Sequence, residues 1–222
     1  MAGMGGGILL LLGLSLVWTP AVALATMAPA MLISGFHRTW LLRAEVDRSI
    51  AKGFAYGALP GSFLGGLLVT KAPDVLLRWL MLAMTVAAMA RAMKLYEWRP
   101  RVWAMVPAGV GIGAISATVG GAGLLVGPLF IAAGLTGKRF VATIAAGAVA
   151  LHLGRMVAYG VGGLVTQETL LCGAVLTVSL MSGNVLGLRL RDRVLNDVRA
   201  QRLELATMTL CVGLSVFGVG RG

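Results

Sequence analysis

Charged side chains are scarce in this sequence: they make up 12% of its 222 residues, against 58% that are hydrophobic. With a mean hydropathy of +0.90, that scarcity excludes a water-soluble domain, in which about a quarter of residues are charged. Cysteine is nearly absent. Cys172 and Cys211 both lie inside apolar stretches, so they read as small packing residues and not as a disulfide framework or a metal cluster. Acidic residues number 8 against 19 basic ones. All of them (Glu45, Asp47, Asp74, Glu97, Glu168, Asp192, Asp197 and Glu204) fall in loops or near the ends of apolar stretches. No carboxylate is therefore available in mid-membrane to relay protons or bind sodium. GxSxG and HExxH are missing too, so an intramembrane enzyme has no support and no cofactor or metal is expected. The opening MAGMGGG has no basic n-region and does not read as a cleavable signal peptide.

What the chain has is apolar length. Residues 53–70, 75–93, 141–161, 170–188 and 203–219 each approach the ~20 residues needed to cross a bilayer. They read as helices, because a helix satisfies its own backbone hydrogen bonds in lipid. A barrel would need alternating polar and apolar positions, which runs such as LLLLGLSLV lack. The net charge of +11 does not indicate a nucleic-acid partner, since the basic residues sit in short loops between apolar spans. The expected surroundings are a lipid bilayer, with several crossings.

Loop charge gives orientation if the basic loops are cytoplasmic. The stretches 37–52 (Arg38, Arg43, Arg48, Lys52), 91–101 (Arg91, Lys94, Arg99, Arg101) and 189–202, with five arginines, then lie inside. The turn 71–74 and the segment 161–169 lie outside. A single crossing by 102–134 contradicts this pattern. A re-entrant hairpin removes the conflict: 102–118 enters, the chain turns at 120–123, and 124–134 returns, with arms roughly 25 and 17 Å long. Each half then makes three crossings, an odd number, so the second half is inverted relative to the first. Paired landmarks agree with a duplication: Gly5, Gly6 and Gly7 with Gly120, Gly121 and Gly123; Ala25 and Thr26 with Ala142 and Thr143; Arg38 with Arg155; Gly61 and Gly65 with Gly183 and Gly187; Asp74 and Val75 with Asp197 and Val198.

The expected fold is thus an all-α integral membrane protein of two inverted repeats, 1–95 and 96–222. Each is a glycine-broken re-entrant hairpin plus three transmembrane helices. Only four residues precede Gly5, so the first hairpin is incomplete. The expectation is an upstream start or a fragment, with a genuinely short hairpin as the alternative.

These residues resemble the sulfite exporter TauE/SafE family of bacterial and plant membrane proteins. The resemblance runs over essentially the whole chain and is carried by GGGILLLLG and GGAGLLVGPL, by the Ala-Thr pair about 20 residues beyond each, and by Gly57, Gly61 and Gly65 on one helix. Pro128 matches the proline that often follows the family's glycine cluster, whereas the first half departs from the pattern with Gly13. The resemblance implies a transporter of the cell inner membrane that exports sulfite, a sulfonate or another small organic anion.

The residues suggest how an anion would be held. A turn at 120–123 leaves backbone N–H groups free, and the following half-helix carries roughly +0.5 of a charge at its N-terminus. Gly120, Gly121 and Gly123 would let an oxyanion approach the backbone, Ser116 and Thr118 would add hydroxyl donors, and Gly5, Gly6 and Gly7 would supply a second such end. Arg155 is the sharpest single residue, sharing a helical face with His152 and Tyr159. An intramembrane ionisable residue usually faces a protein interior or a cavity, so Arg155 is assigned as the counter-charge, with Thr143 as a further donor. The glycine-spaced helices around Gly61 and Gly183 read as packing seams, between the repeats or on a homo-oligomer face. The competing reading is a membrane assembly subunit, in which the glycines serve packing alone and Arg155 meets a partner helix.

Overall fold

The computed structural model describes residues 6–15, 17–77, 79, 80, 83, 86, 105–120 and 122–191. Its helices are α1 (Gly6–Ser15), α2 (Pro20–Leu41), α3 (Arg48–Lys71), α4 (Met105–Val119), α5 (Ala122–Ala132), α6 (Gly137–Val161) and α7 (Gln167–Arg191). The expected spans 53–70, 141–161 and 170–188 fall within α3, α6 and α7. The span 75–93 is described only at its start and at isolated positions. The span 203–219, the stretch 91–101 and most of 189–202 lie outside the described residues. Helices α2, α3 and α6 are long and apolar enough to cross a membrane, at roughly 33 to 38 Å against ~30 Å of hydrocarbon.

Helix ends follow local chemistry. Pro20 occupies the first turn of α2 behind the Thr19 cap, where its missing N–H costs nothing. Asp47 caps α3 by accepting from Ser49 N–H and Ile50 N–H, both at 3.1 Å. The stretch 37–52, expected as one loop, is much shorter: α2 continues to Leu41 and α3 begins at Arg48, leaving a connection with one 3-10 turn, Arg43–Glu45. Arg43 in that turn, and Arg48 and Lys52 on the first turns of α3, are exposed, as long side chains that reach the membrane surface would be. Arg43 lies over the exposed Trp40 ring, 4.5 Å from its centroid, an aromatic position typical of the interface. At the other end of α6, Leu164 N–H donates back to Tyr159 O at 2.9 Å, a wrap made possible by Gly163 at φ 75°.

The core is built on backbone contact. A Cβ at Gly57, Gly61 or Gly65 of α3 would overlap the backbone of Val106, Val110 and Ala114 on α4, in that order. In return, Gly109 and Gly113 of α4 lie against the backbone around Ala58 and Ser62. The pairs climb both helices together, so α3 and α4 run parallel. Helix α6 climbs α3 in the same direction: Thr143 meets Asp47, Gly147 meets Phe54, Gly154 meets Ser62, and Ala158 meets Gly66. Since α4 and α6 both run parallel to α3, the α5 between them must run back. The ring of Phe130 near its end packs edge-on against Phe54, 5.3 Å between centroids. Helices α4 and α5 thus form a hairpin whose closed end lies near the C-terminal ends of α3 and α6. Its arms are roughly 22 and 17 Å long.

Helix α2 opposes α6, with Gly35 against Val149 at one level, and Leu24 sharing a buried cluster with Tyr159 at the other. Helix α7 packs on α2 through Gly173, against Pro29 and the Thr26 carbonyl. The seam expected around Gly61 is present and joins α3 to α4. That around Gly183 is not formed among the described residues, where an added Cβ would meet nothing. Outward-facing Leu64, Leu68, Leu171, Val175 and Val178 stay exposed, an apolar girdle of the kind a bilayer covers.

Two predictions follow from this packing. Gly61→Val should destabilise the protein by at least ~1–3 kcal/mol, because backbone cannot yield as a side chain does. Gly111→Ala, with nothing within 4 Å of the new Cβ, should stay within ~0.5 kcal/mol of the parent. Thermal denaturation in detergent compares the two, and equal melting points would disprove the seam.

The second concerns the tie at the start of α3. Asp47 Oδ2 accepts from Arg139 Nη2 at 2.7 Å, and Asp47 N–H donates to Thr143 Oγ1 at 3.0 Å. The Ile50 N–H, then Arg139 and the Ser49 N–H, hold the Asp47 carboxyl below its ordinary value of 3.8. A depressed carboxylate stabilises the fold in full above its unfolded pKa, and that stability disappears as pH falls through the folded value. Asn can still cap the helix, so Asp47→Asn removes the charge and its pair with the exposed Arg139 and should lower the melting point at pH 7 by the equivalent of ~0.2–1 kcal/mol, and the gap to the parent should narrow as the pH drops below 4. A gap independent of pH would refute the assignment.

Candidate functional site

The hairpin tip and the middle of α6 hold the polar groups that matter. Gly120 ends α4 at φ 71°, donating its N–H to Ser116 O at 2.9 Å. A side chain there would be strained and would strike Leu11 of α1, so the second glycine segment packs directly on the helix that follows the first. Gly123 lies in the first turn of α5, where N–H groups have no partner within the helix. Gly6 and Gly7 occupy the same place in α1. Gly5 and Gly121 lie outside the described residues.

The expected hydroxyl donors are engaged locally. Ser116 Oγ donates to Gly113 O at 3.1 Å, and Thr118 Oγ1 to Ile115 O at 2.9 Å. Thr143 Oγ1 donates to Arg139 O at 2.7 Å and accepts from Asp47 N–H. Thr143 is also twelve residues from Arg155 on one helix, ~18 Å away. One small anion cannot touch both. The structure gives Thr143 to the joint between α3 and α6 and separates it from the arginine.

Arg155 is 1% exposed, Tyr159 0% and His152 8%, so the face expected from their spacing points into protein. Gly66 of α3 makes room for it: a Cβ there would lie 3.4 Å from Arg155 Cα and 3.5 Å from Tyr159 Cε1. Tyr159 OH donates to Ala117 O, fastening α6 to the hairpin tip one turn above Arg155. Arg155 itself has no such tie. Its Nε and Nη2 are buried without a hydrogen-bond partner. The carboxylates among the described residues, Glu45, Asp47, Asp74 and Glu168, all sit at helix ends. His152 Nδ1 is likewise buried and unpartnered, and both Arg155 and Arg38 stand within electrostatic reach of its ring.

Removing a guanidinium from water without a counter-charge is among the costliest arrangements a protein can hold. Here the unpaired edge is Nε with Nη2, two N–H groups pointing the same way, which match two oxygens of one carboxylate, sulfonate or phosphate-like group. The arrangement can bind an oxyanion. It offers no nucleophile, no general base beside a nucleophile and, among the described residues, no group of metal ligands.

Two features were beyond sequence reasoning. Tyr159 could be placed on the arginine's face, but its acceptor is 42 positions away and leaves no sequence signal. Thr26 Oγ1 is buried and unpartnered. The only hint was the repeated Ala-Thr pair, which drew attention to Thr143 instead.

Comparison with curated proteins and with solved structures gives no significant match. The family model for the sulfite exporter TauE/SafE family, by contrast, matches residues 1–216, nearly the whole chain, and agrees with a helical structure holding several membrane-length spans. The chain belongs to the sulfite exporter TauE/SafE family and is a membrane transporter.

Proposed function

We propose that this chain exports sulfite, a sulfonate or another small oxyanion across the bacterial inner membrane, with Arg155 as the counter-charge. The observation that carries the reading is the buried Nε and Nη2 edge of Arg155, which no group among the described residues satisfies. Gly123 at the N-terminal turn of α5, and Gly6 and Gly7 at that of α1, would add backbone donors. The field of each helix favours a negative ligand there. Gly120 shapes the turn, while Ser116 and Thr118 keep acceptor capacity and can rotate their hydroxyl protons toward a ligand. Gly5 and Gly121 belong to the proposal by position in the sequence alone.

The halves 1–95 and 96–222 are proposed as inverted repeats that rock about this site. Helix directions support the reading, since α2 opposes its counterpart α6, and α3 runs against α7 if the short 162–166 connection makes an ordinary helical return. The α4–α5 hairpin fits the re-entrant element, its two open ends lying at the same end of α3 and α6. An inside-negative potential favours net exit of an unaccompanied anion by ~2.3 kcal/mol per charge per 100 mV.

Two substitutions separate binding from packing. Arg155→Gln removes a charge-assisted pair worth ~1.5–3 kcal/mol, so the KM for sulfite flux in proteoliposomes should rise roughly 10- to 100-fold. Thr143→Val should lower the melting point and leave KM within a factor of two or so, because its hydroxyl serves the Asp47 and Arg139 joint. Unchanged flux in Arg155→Gln would remove the arginine from the site. A selective KM effect of Thr143→Val would return Thr143 to it.

A further inference from the structure

The same arginine bears on how transport is coupled, an inference that rests on the anion-site reading above. A carrier must pass through a form closed to both sides of the membrane. With a singly charged oxyanion on Arg155, such as a sulfonate or hydrogensulfite, that form encloses a neutral pair. Without one, it encloses an isolated guanidinium, since the described surroundings supply no compensation. Tyr159 OH is spent on Ala117 O, Ser62 Oγ donates to Leu59 O, and Gly66 and Gly154 bring bare backbone to this stretch of α6. A carboxylate on a facing helix could neutralise the arginine while the carrier returned unloaded, but those among the described residues lie at helix ends. In a low dielectric an unpaired charge is a barrier and a paired one is far less so.

We propose that this protein is an anion exchanger: it crosses the membrane only when Arg155 is neutralised, so each exported oxyanion is exchanged for another oxyanion that binds the same guanidinium edge from the opposite side. The arginine then sets both specificity and stoichiometry. A counter-anion needs two oxygens on one centre to span Nε and Nη2, so short carboxylates, sulfonates and sulfite qualify and halides do not.

The test is efflux of radiolabelled sulfite, and of a panel of short sulfonates and carboxylates, from proteoliposomes whose membrane potential is clamped with potassium and valinomycin. Clamping prevents charge build-up from imitating a need for exchange. Efflux into medium with unlabelled substrate outside should be at least ~10-fold faster than into substrate-free medium, a difference of ~1.4 kcal/mol in barrier. External chloride should not replace the substrate. In Arg155→Gln the residual efflux should be indifferent to the outside anion, and in Arg155→Lys, which keeps the charge, the dependence should persist at weaker affinity. A melting-point series in detergent supplies a reading independent of flux: the anion should stabilise the parent, and Arg155→Gln should be at least as stable as the anion-free parent. Equal efflux with and without outside substrate would overturn exchange and leave the transporter intact. No flux and no anion-dependent shift in melting point across the panel would overturn the anion site, and exchange with it.

Discussion

The hairpin and α6 are positioned by the backbone contact that α3 makes on two sides. Gly57, Gly61 and Gly65 admit α4 on one side, and Gly66, with Gly154 from the facing helix, admits α6 on the other. In lipid, no hydrophobic effect draws apolar helices together, so association rests on close packing, and small residues are what allow it. Once α4 and α6 are both held parallel to α3, the α5 segment has no choice of direction. The closed end of the hairpin is then delivered to the level of Tyr159, where a single hydroxyl fastens it. The glycines of this seam lie outside the proposed site, yet they determine where Gly120 and Gly123 stand.

The second constraint works against the first. Tight packing excludes water, and excluding water around Arg155 makes an unpaired charge expensive. A protein selected for stability alone would replace this arginine with an apolar residue or set an acid beside it. Among the described residues neither is seen: Tyr159 and Ser62 are turned to backbone carbonyls, His152 Nδ1 is itself without a partner, and the guanidinium edge is left over. Stability has been given up at one position, and a ligand is the simplest means of restoring it.

Much of the architecture was legible because membranes restrict the alternatives. Apolar length identified α3, α6 and α7 as helices, and a break in the charge pattern marked 102–134, where the structure has the two shorter helices α4 and α5 in place of one long span. Burial of Arg155 followed from its place within an apolar run. What could not be read is which of several similar residues is left unsatisfied. Thr26 and Thr143 follow the same Ala in the same kind of run, yet Thr143 caps a joint with Asp47 while Thr26 Oγ1 has no partner. A threonine hydroxyl in a helix can serve its own carbonyl or something else, and the local sequence is the same in both cases. The Asp47–Arg139 pair was hidden for a related reason: its members are 92 positions apart and each looks like an ordinary loop charge.

The same asymmetry argues for two unequal half-sites. If the chain is a duplication, Arg38 and Arg155 began as equivalents, as did Thr26 and Thr143. They have since diverged in opposite senses. The second repeat keeps a buried, unpaired arginine and has committed its threonine to structure, while the first keeps a free threonine and places its arginine in the last turn of α2. Two identical buried arginines facing one anion would leave an uncompensated charge in the loaded state as well as the unloaded one. Among the described residues Arg155 alone among the arginines leaves a buried guanidinium edge unsatisfied, and a single negative charge there closes the balance once per cycle. On this argument the loss of symmetry is what lets one monoanion suffice for the crossing.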